Sequence, residues 1–207
     1  TLNTYYHGVL VHADEDIISL GETFSHLDEI TIPVHYTGFV SKEKTEGGCS
    51  IRKDLQLSPE DKLIVASIGG GTVGGELLLS VLQGFKRMCV RDKRMHLQLF
   101  CGPYCGESLY QKLLSEIRHN ITVDRFTGSF PDWLAAADLS ISMAGYNTCM
   151  DLVQSGVPAL VYPFQQNREQ LLRATKLSRQ APLSILNEDM LAPQHFASCM
   201  IEQLQKD

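Results

Sequence analysis

Short apolar runs alternate with stretches of helical periodicity over most of the chain. Residues 63–68, 96–100, 121–124, 139–143 and 158–162 each have strand length and read as strands. They are apolar without regular alternation, as expected for strands covered on both faces. Between the first two, Leu78, Leu82, Phe85 and Cys89 fall on one helical face. Further helices are expected at 107–118, at 133–137 behind Pro131, at 147–154 and at 168–179. Gly156 ends one of them, and the tail, 188–205, reads as helical with an interruption at Pro193. Repeated strand–helix alternation predicts an α/β fold: a Rossmann-like parallel sheet with helices on both faces.

Residues 1–60 read differently. A strand is expected over 5–12, then an irregular acidic stretch over 14–32 and a polar, mobile loop over 42–50. The pattern therefore divides the chain into an irregular leading segment, 1–60, and a domain of alternating strands and helices, 61–207. With 43% hydrophobic and 20% charged residues, the chain has the composition of a globular protein rather than a disordered or coiled-coil one. No apolar run approaches the roughly 20 residues of a membrane span. A formal charge of -6 argues against nucleic acid as a partner. The six cysteines form no framework: Cys101 and Cys105 lack the second pair a zinc site needs, so buried thiols in a reducing cytosol are expected. None of the seven histidines has metal-ligand spacing, and Asp14-Glu15-Asp16 reads as a solvated turn. The first residue is Thr1, which suggests a natural N-terminus cut away.

In an open parallel sheet, ligands bind beyond the carboxyl ends of the strands, so the informative residues lie where each strand gives way to its helix. The first such loop, Gly69-x-Gly71-x-x-Gly74, formally matches a dinucleotide fingerprint. The next strand, however, ends Leu99-Phe100-Cys101-Gly102 without the acid a nicotinamide enzyme uses for ribose, and no Gly-Lys-Ser/Thr follows as in a P-loop. A tight structural turn remains an alternative. The loop after 139–143 carries Gly145, with Asn147 or Thr148 as a candidate helix cap and Asp151 one turn on, placed to meet a pair of hydroxyls. Gln165 to Gln170 form an amide and carboxylate cluster suited to a sugar, or simply a solvated helix start. Phe126 could stack on a base, with the backbone of Thr127 reading its edge, or belong to the core. Together these loops describe a nucleotide-sugar site.

From about residue 63 to 177 the sequence resembles the C-terminal, donor-binding half of GT-B glycosyltransferases, and most closely family 28, which includes the bacterial cell-wall UDP-N-acetylglucosamine transferase. The likeness rests on Ala144-Gly145-Tyr146-Asn147-Thr148, Asp151-Leu152, Gly156-Val157-Pro158-Ala159, Pro163, Glu169-Gln170 and Arg173-Ala174, in that order. By this resemblance Gly71, Thr72 and Val73 lie in the Gly-rich loop facing the cleft, with Thr72 near the diphosphate. Phe126 and Thr127 cover and read the base, and Gly145, Tyr146, Asn147 and Thr148 form the diphosphate loop. Asp151 stands where an acid, commonly Glu, binds ribose. Glu169 and Gln170 contact the donor sugar. Tyr146 and Asn147 differ from the residues of the cell-wall enzyme, so its substrate is not carried over.

The resemblance implies transfer of a hexose-type sugar from a nucleoside diphosphate sugar, UDP- or dTDP-linked, to an acceptor hydroxyl, with inversion and without a metal ion or other cofactor. Residues 1–60 are then the connector and remnant leading from an N-terminal half, and 61–207 the nucleotide-sugar-binding Rossmann-like domain. The catalytic base is expected in that half, missing or a separate partner subunit, so the chain alone should turn over little. The expected setting is cytoplasmic, peripheral to a membrane through that half. An exposed cleft face would favour a homodimer. The alternatives are a nucleotide-sugar epimerase half and a non-catalytic α/β interaction module.

Overall fold

The computed structural model describes every residue except 42–45, 91 and 207. The chain divides into two compact units, residues 1–42 and 43–207. In the first, a short helix α1 (Leu2–Tyr5) precedes strand β1 (Val9–Val11), which pairs in parallel with β2 (Val34–Tyr36). The strand expected over 5–12 is thus only three residues long. Between the strands the chain makes two 3-10 turns, Leu20–Glu22 and Leu27–Glu29. Asn3 ties the ends of this stretch: its amide donates to the Glu29 carbonyl at 2.7 Å and its carbonyl accepts the Thr31 N–H at 3.0 Å.

The second unit runs α2 (Gly48–Asp54), β3 (Lys62–Ser67), α3 (Gly75–Cys89), β4 (Met95–Phe100), α4 (Glu107–Leu114), β5 (Ile121–Asp124), α5 (Phe130–Ala136), β6 (Leu139–Met143), α6 (Tyr146–Ser155), β7 (Ala159–Tyr162), α7 (Arg168–Leu177), β8 (Leu183–Ile185) and α8 (Pro193–Leu204). The six strands form one parallel sheet in the order β5-β4-β3-β6-β7-β8. The expected Rossmann-like architecture is present. Strand β8 escaped the sequence pattern because it has only three residues. Pro193 does not interrupt the last helix but starts it, where its missing N–H would be unpaired in any case.

The strands place successive side chains on opposite faces. Ile64, Ala66, Leu97, Leu99, Leu139 and Ile141 pack with Leu78, Val81 and Phe85 of α3 and with Phe196 and Met200 of α8. On the other face Leu63, Val65 and Phe100 meet Ile51, Leu55, Phe130 and Trp133, and the Phe100 and Trp133 rings cross edge-on at 5.3 Å. Helix α2 corrects the loop expected over 42–50, of which 42–45 lie outside the described residues. Gly48 is buried against α5, and a Cβ there would stand 2.6 Å from the Ala135 carbonyl carbon. The glycine pair Gly47-Gly48 therefore serves close helix packing. Arg52 fixes α2 to the sheet, donating to the Ala136 carbonyl at 2.9 Å and to Asp138 at 3.1 Å. Asp138 also accepts the Leu63 N–H at 2.8 Å and pairs with Lys62 at 2.8 Å.

Candidate functional site

Strand order reverses between β3 and β6. From β3 the chain winds outward through β4 and β5, and from β6 it winds the other way through β7 and β8. The loops leaving these two strands therefore wind to opposite sides, and a crevice is expected beyond their carboxyl ends. Ser67 and Ser142 are paired at its floor. A Cβ on Gly74 would lie 2.8 Å from Met143 Sδ and 3.0 Å from Ile68 Cγ2, so α3 begins directly beside the end of β6.

One wall is built from glycine. Gly71 has a φ of 89°, and a Cβ there would collide with the Cys101 carbonyl oxygen and stand 2.8 Å from the Cys105 nitrogen. Gly102, with a φ of 85°, would place a Cβ 2.5 Å from Gly69 O and from Gly71 N. Tyr104 N–H donates to the Gly70 carbonyl at 2.9 Å. The loops after β3 and β4 thus interlock backbone against backbone, which only glycine permits. Thr72 and Val73 form the exposed tip of the first loop. Cys101 and Cys105 are buried behind it; burial, with the neighbouring Cys105 thiol, pushes the Cys101 thiol up to about 12. The expectation of buried thiols holds for Cys101, Cys105 and Cys149, whereas Cys49 is exposed.

The other wall begins at α6. Gly145 is the N-cap, with the extended backbone a cap requires (φ -65°, ψ 154°), and as a glycine it brings no capping side chain. The expectation that Asn147 or Thr148 caps it is therefore wrong: both already lie in the first helical turn, Asn147 exposed and Thr148 half-buried. The partial positive charge of the helix start lies just beyond the carboxyl end of β6. Asp151 is half-buried in the second turn. Burial pushes the Cys149 thiol on this helix up to about 11, against the pull of the Arg173 charge.

Helix α7 supplies the polar cluster. Asn167 caps it, accepting the N–H groups of Glu169 at 3.1 Å and Gln170 at 3.3 Å. The Gln170 side-chain oxygen accepts the Phe164 N–H at 2.9 Å, so the amide nitrogen is the donor end of this side chain. Glu169 is ion-paired with Arg173. Neither the cap nor Arg173 was assigned a role from the sequence. The Asn167 signal was there, an Asn directly before a helical stretch; Arg173 looked like part of a motif only.

The segment after β5 is anchored beneath its exposed ring. Arg125 donates to the Cys105 carbonyl at 2.9 Å, pairs with Glu107 at 2.6 Å and lies 3.9 Å from the Tyr110 ring centre. Phe126 follows it with 68% of its surface exposed, which removes the core reading. Thr127 Oγ1 accepts the Ser129 N–H at 3.2 Å, so its side chain braces the turn into α5. Three inter-strand spacings, about 14 Å, separate β5 from β6, and one separates β6 from β7. All twelve residues singled out from the sequence thus lie along one edge of the sheet, in the loops and first two helical turns after β3, β5, β6 and β7.

Fold and strand order define a Rossmann-like domain with its topological switch point between β3 and β6. The chain belongs to glycosyltransferase family 28: residues 65–206 match the family's C-terminal domain. It is 25% identical over 172 residues to an uncharacterized glycosyltransferase of Methanosarcina mazei, covering 83% of this chain and 41% of that protein. It is also 25% identical over 156 residues to the UDP-N-acetylglucosamine–N-acetylmuramyl-(pentapeptide) pyrophosphoryl-undecaprenol N-acetylglucosamine transferase of Clostridium botulinum, covering 73% of this chain and 39% of that protein. Among solved structures, the calicheamicin glycosyltransferase CalG4 superposes with a TM-score of 0.65 over 97% of this chain and 45% of its own, at 16% identity. The fold is accordingly that of the GT-B glycosyltransferases, and the chain spans about two fifths of the length of the curated relatives it matches.

Proposed function

We propose that this chain is the donor-binding half of a glycosyltransferase and that it binds a nucleoside diphosphate sugar, UDP- or dTDP-linked, in the β3/β6 crevice. The observation that carries this reading is the glycine-capped start of α6, just beyond the β6 end on which the start of α3 packs, in a chain of family 28. Two helix starts side by side favour a diphosphate over a neutral ligand. In the proposed mode Gly145 to Thr148 receive the diphosphate and Asp151 receives the ribose hydroxyls. Phe126 stacks on the base, while Glu169 and Gln170 meet the sugar from the neighbouring strand end. As the glycosidic bond breaks, negative charge grows on the diphosphate, and the fixed α6 dipole stabilises it without reorganisation and without a metal ion. The acceptor and the catalytic base come from an N-terminal half, and the reaction inverts the anomeric centre.

Calorimetric titration of the chain with UDP, dTDP, GDP and NAD tests this reading. Selective binding of one nucleoside diphosphate is expected, unchanged by a chelator and weakened about tenfold by Asp151→Ala, the loss of a charged hydrogen-bond acceptor. Silence with all four nucleotides, or preferred binding of NAD, would overturn it.

A further inference from the structure

Arg173 is a cation withdrawn from water. It lies in the second turn of α7 with only 6% of its surface exposed, among residues that are otherwise apolar on that helix face: Ala174 and Leu177 are also buried. A buried guanidinium is retained only where its hydrogen bonds and charge are matched. Its partners lie on both elements of the proposed donor site. Nη1 donates to the carbonyl of Ala144, the residue just before the α6 N-cap, at 3.3 Å. Nη2 pairs with the carboxylate of Glu169, one turn back on α7. The guanidinium also faces the ring of Tyr146, the first residue of α6, at 5.3 Å. One side chain therefore holds the peptide that opens α6 and the carboxylate at the head of α7 in a single arrangement.

We infer that Arg173 is a positioning residue for the donor. It need not touch the ligand, because the Ala144 carbonyl and Tyr146 ring flank the Gly145 peptide, whose orientation sets where the α6 N–H groups point. Its hold on Glu169 fixes where that carboxylate can meet a sugar hydroxyl. This inference rests on the donor-site reading above. It adds that the diphosphate loop and the sugar-facing pair are one mechanical unit rather than two independent contacts. The guanidinium is needed for this, since two N–H directions and a flat face are used at once and an ammonium supplies only a point charge.

The test compares the parent chain with Arg173→Lys and Arg173→Met by hydrogen exchange of the ligand-free protein and by titration with UDP and UDP-N-acetylglucosamine. In both variants the amides of 144–148 and of 168–170 are expected to exchange faster together, while those of β3 and β4 keep their protection. Affinity for UDP should fall about tenfold even in Arg173→Lys, as expected for a lost charge-assisted contact that orients the site. A variant whose β3 and β4 amides also lose protection has unfolded globally, and Arg173→Lys then serves as the deciding variant because it keeps the charge. Unchanged exchange at 144–148 in a folded variant would overturn the inference, as would full parental behaviour in Arg173→Lys. If the parent binds neither nucleotide, the functional reading falls while the exchange comparison still decides whether Arg173 couples the two elements.

Discussion

The two walls of the crevice face the same space and are held by opposite means. The wall after β3 and β4 is backbone interlocked with backbone, through Gly71 and Gly102 at positive φ and the Tyr104 N–H on the Gly70 carbonyl. The wall after β6 and β7 is held by side chains: Asn167 on the start of α7, Gln170 on Phe164, and Arg173 on Ala144 and Glu169. A backbone interlock tolerates no substitution but does not adjust. A side-chain scaffold can be retuned one residue at a time, which suits the wall that would distinguish one sugar from another.

The largest expected effect breaks the first wall. Gly71→Ala combines a left-handed backbone with a collision against the Cys101 carbonyl, and should destabilise the chain by about 3 kcal/mol or more. At this chain length that is a fall of roughly 10 °C in melting temperature. A melting curve within a degree or two of the parent would show that the interlock is not as rigid as its geometry implies.

An intermediate effect separates structure from recognition on the second wall. Gln170→Ala removes the acceptor of the Phe164 N–H and should cost about 1 kcal/mol. Gln170→Glu keeps an acceptor oxygen there but replaces the amide donor with a carboxylate, so stability should stay within about 0.5 kcal/mol of the parent while affinity for a nucleotide sugar drops. Denaturant melts of the two variants beside titrations with UDP-N-acetylglucosamine read both quantities. Equal losses of stability would contradict the separation.

The smallest effect needs no mutation. Cys101 lies behind the glycine wall and Cys149 on α6 behind the side-chain wall, both buried and both with raised thiol pKa values. Alkylation requires a thiolate and an opening. Mass spectrometry of a slow alkylation time course should show the exposed Cys49 modified first. The half-buried Cys89 and Cys199 should follow, then the buried Cys149, and Cys101 should react a few-fold more slowly still. Cys101 reacting faster than Cys149 would reverse the comparison.

The first wall was less legible in the sequence than its glycines suggest. The run 69–75 invites a phosphate loop, yet Gly71 answers to Gly102 and Cys101, residues on a different loop that no local motif includes. The sheet was legible because covered strands are apolar and long enough to show it; β6, Leu139–Met143, matches its expected span. Three-residue β2 and β8 carry too little pattern. Helix α2 was hidden because its burial rests on two glycines that read as a loop. The site residues were placed on the correct edge because strand–helix alternation fixes the edge. Their hydrogen-bond roles depended on neighbours from other elements, which is why the Asn147 or Thr148 cap was misassigned and the hold of Arg173 on Ala144 went unseen.

The strand order also sets a sequence of events during synthesis. β3 lies at the middle of the sheet, yet its second neighbour, β6, is made only after β4, α4, β5 and α5. Until residues 139–143 leave the ribosome, the apolar β3 presents an unpaired edge to whatever is nearby. Joining two parallel strands so far apart is intrinsically slow. The same reversal of strand order that opens the crevice in the finished molecule therefore leaves its floor as the last central pairing to form, and the stage before that pairing is the one most open to aggregation and most in need of chaperone protection.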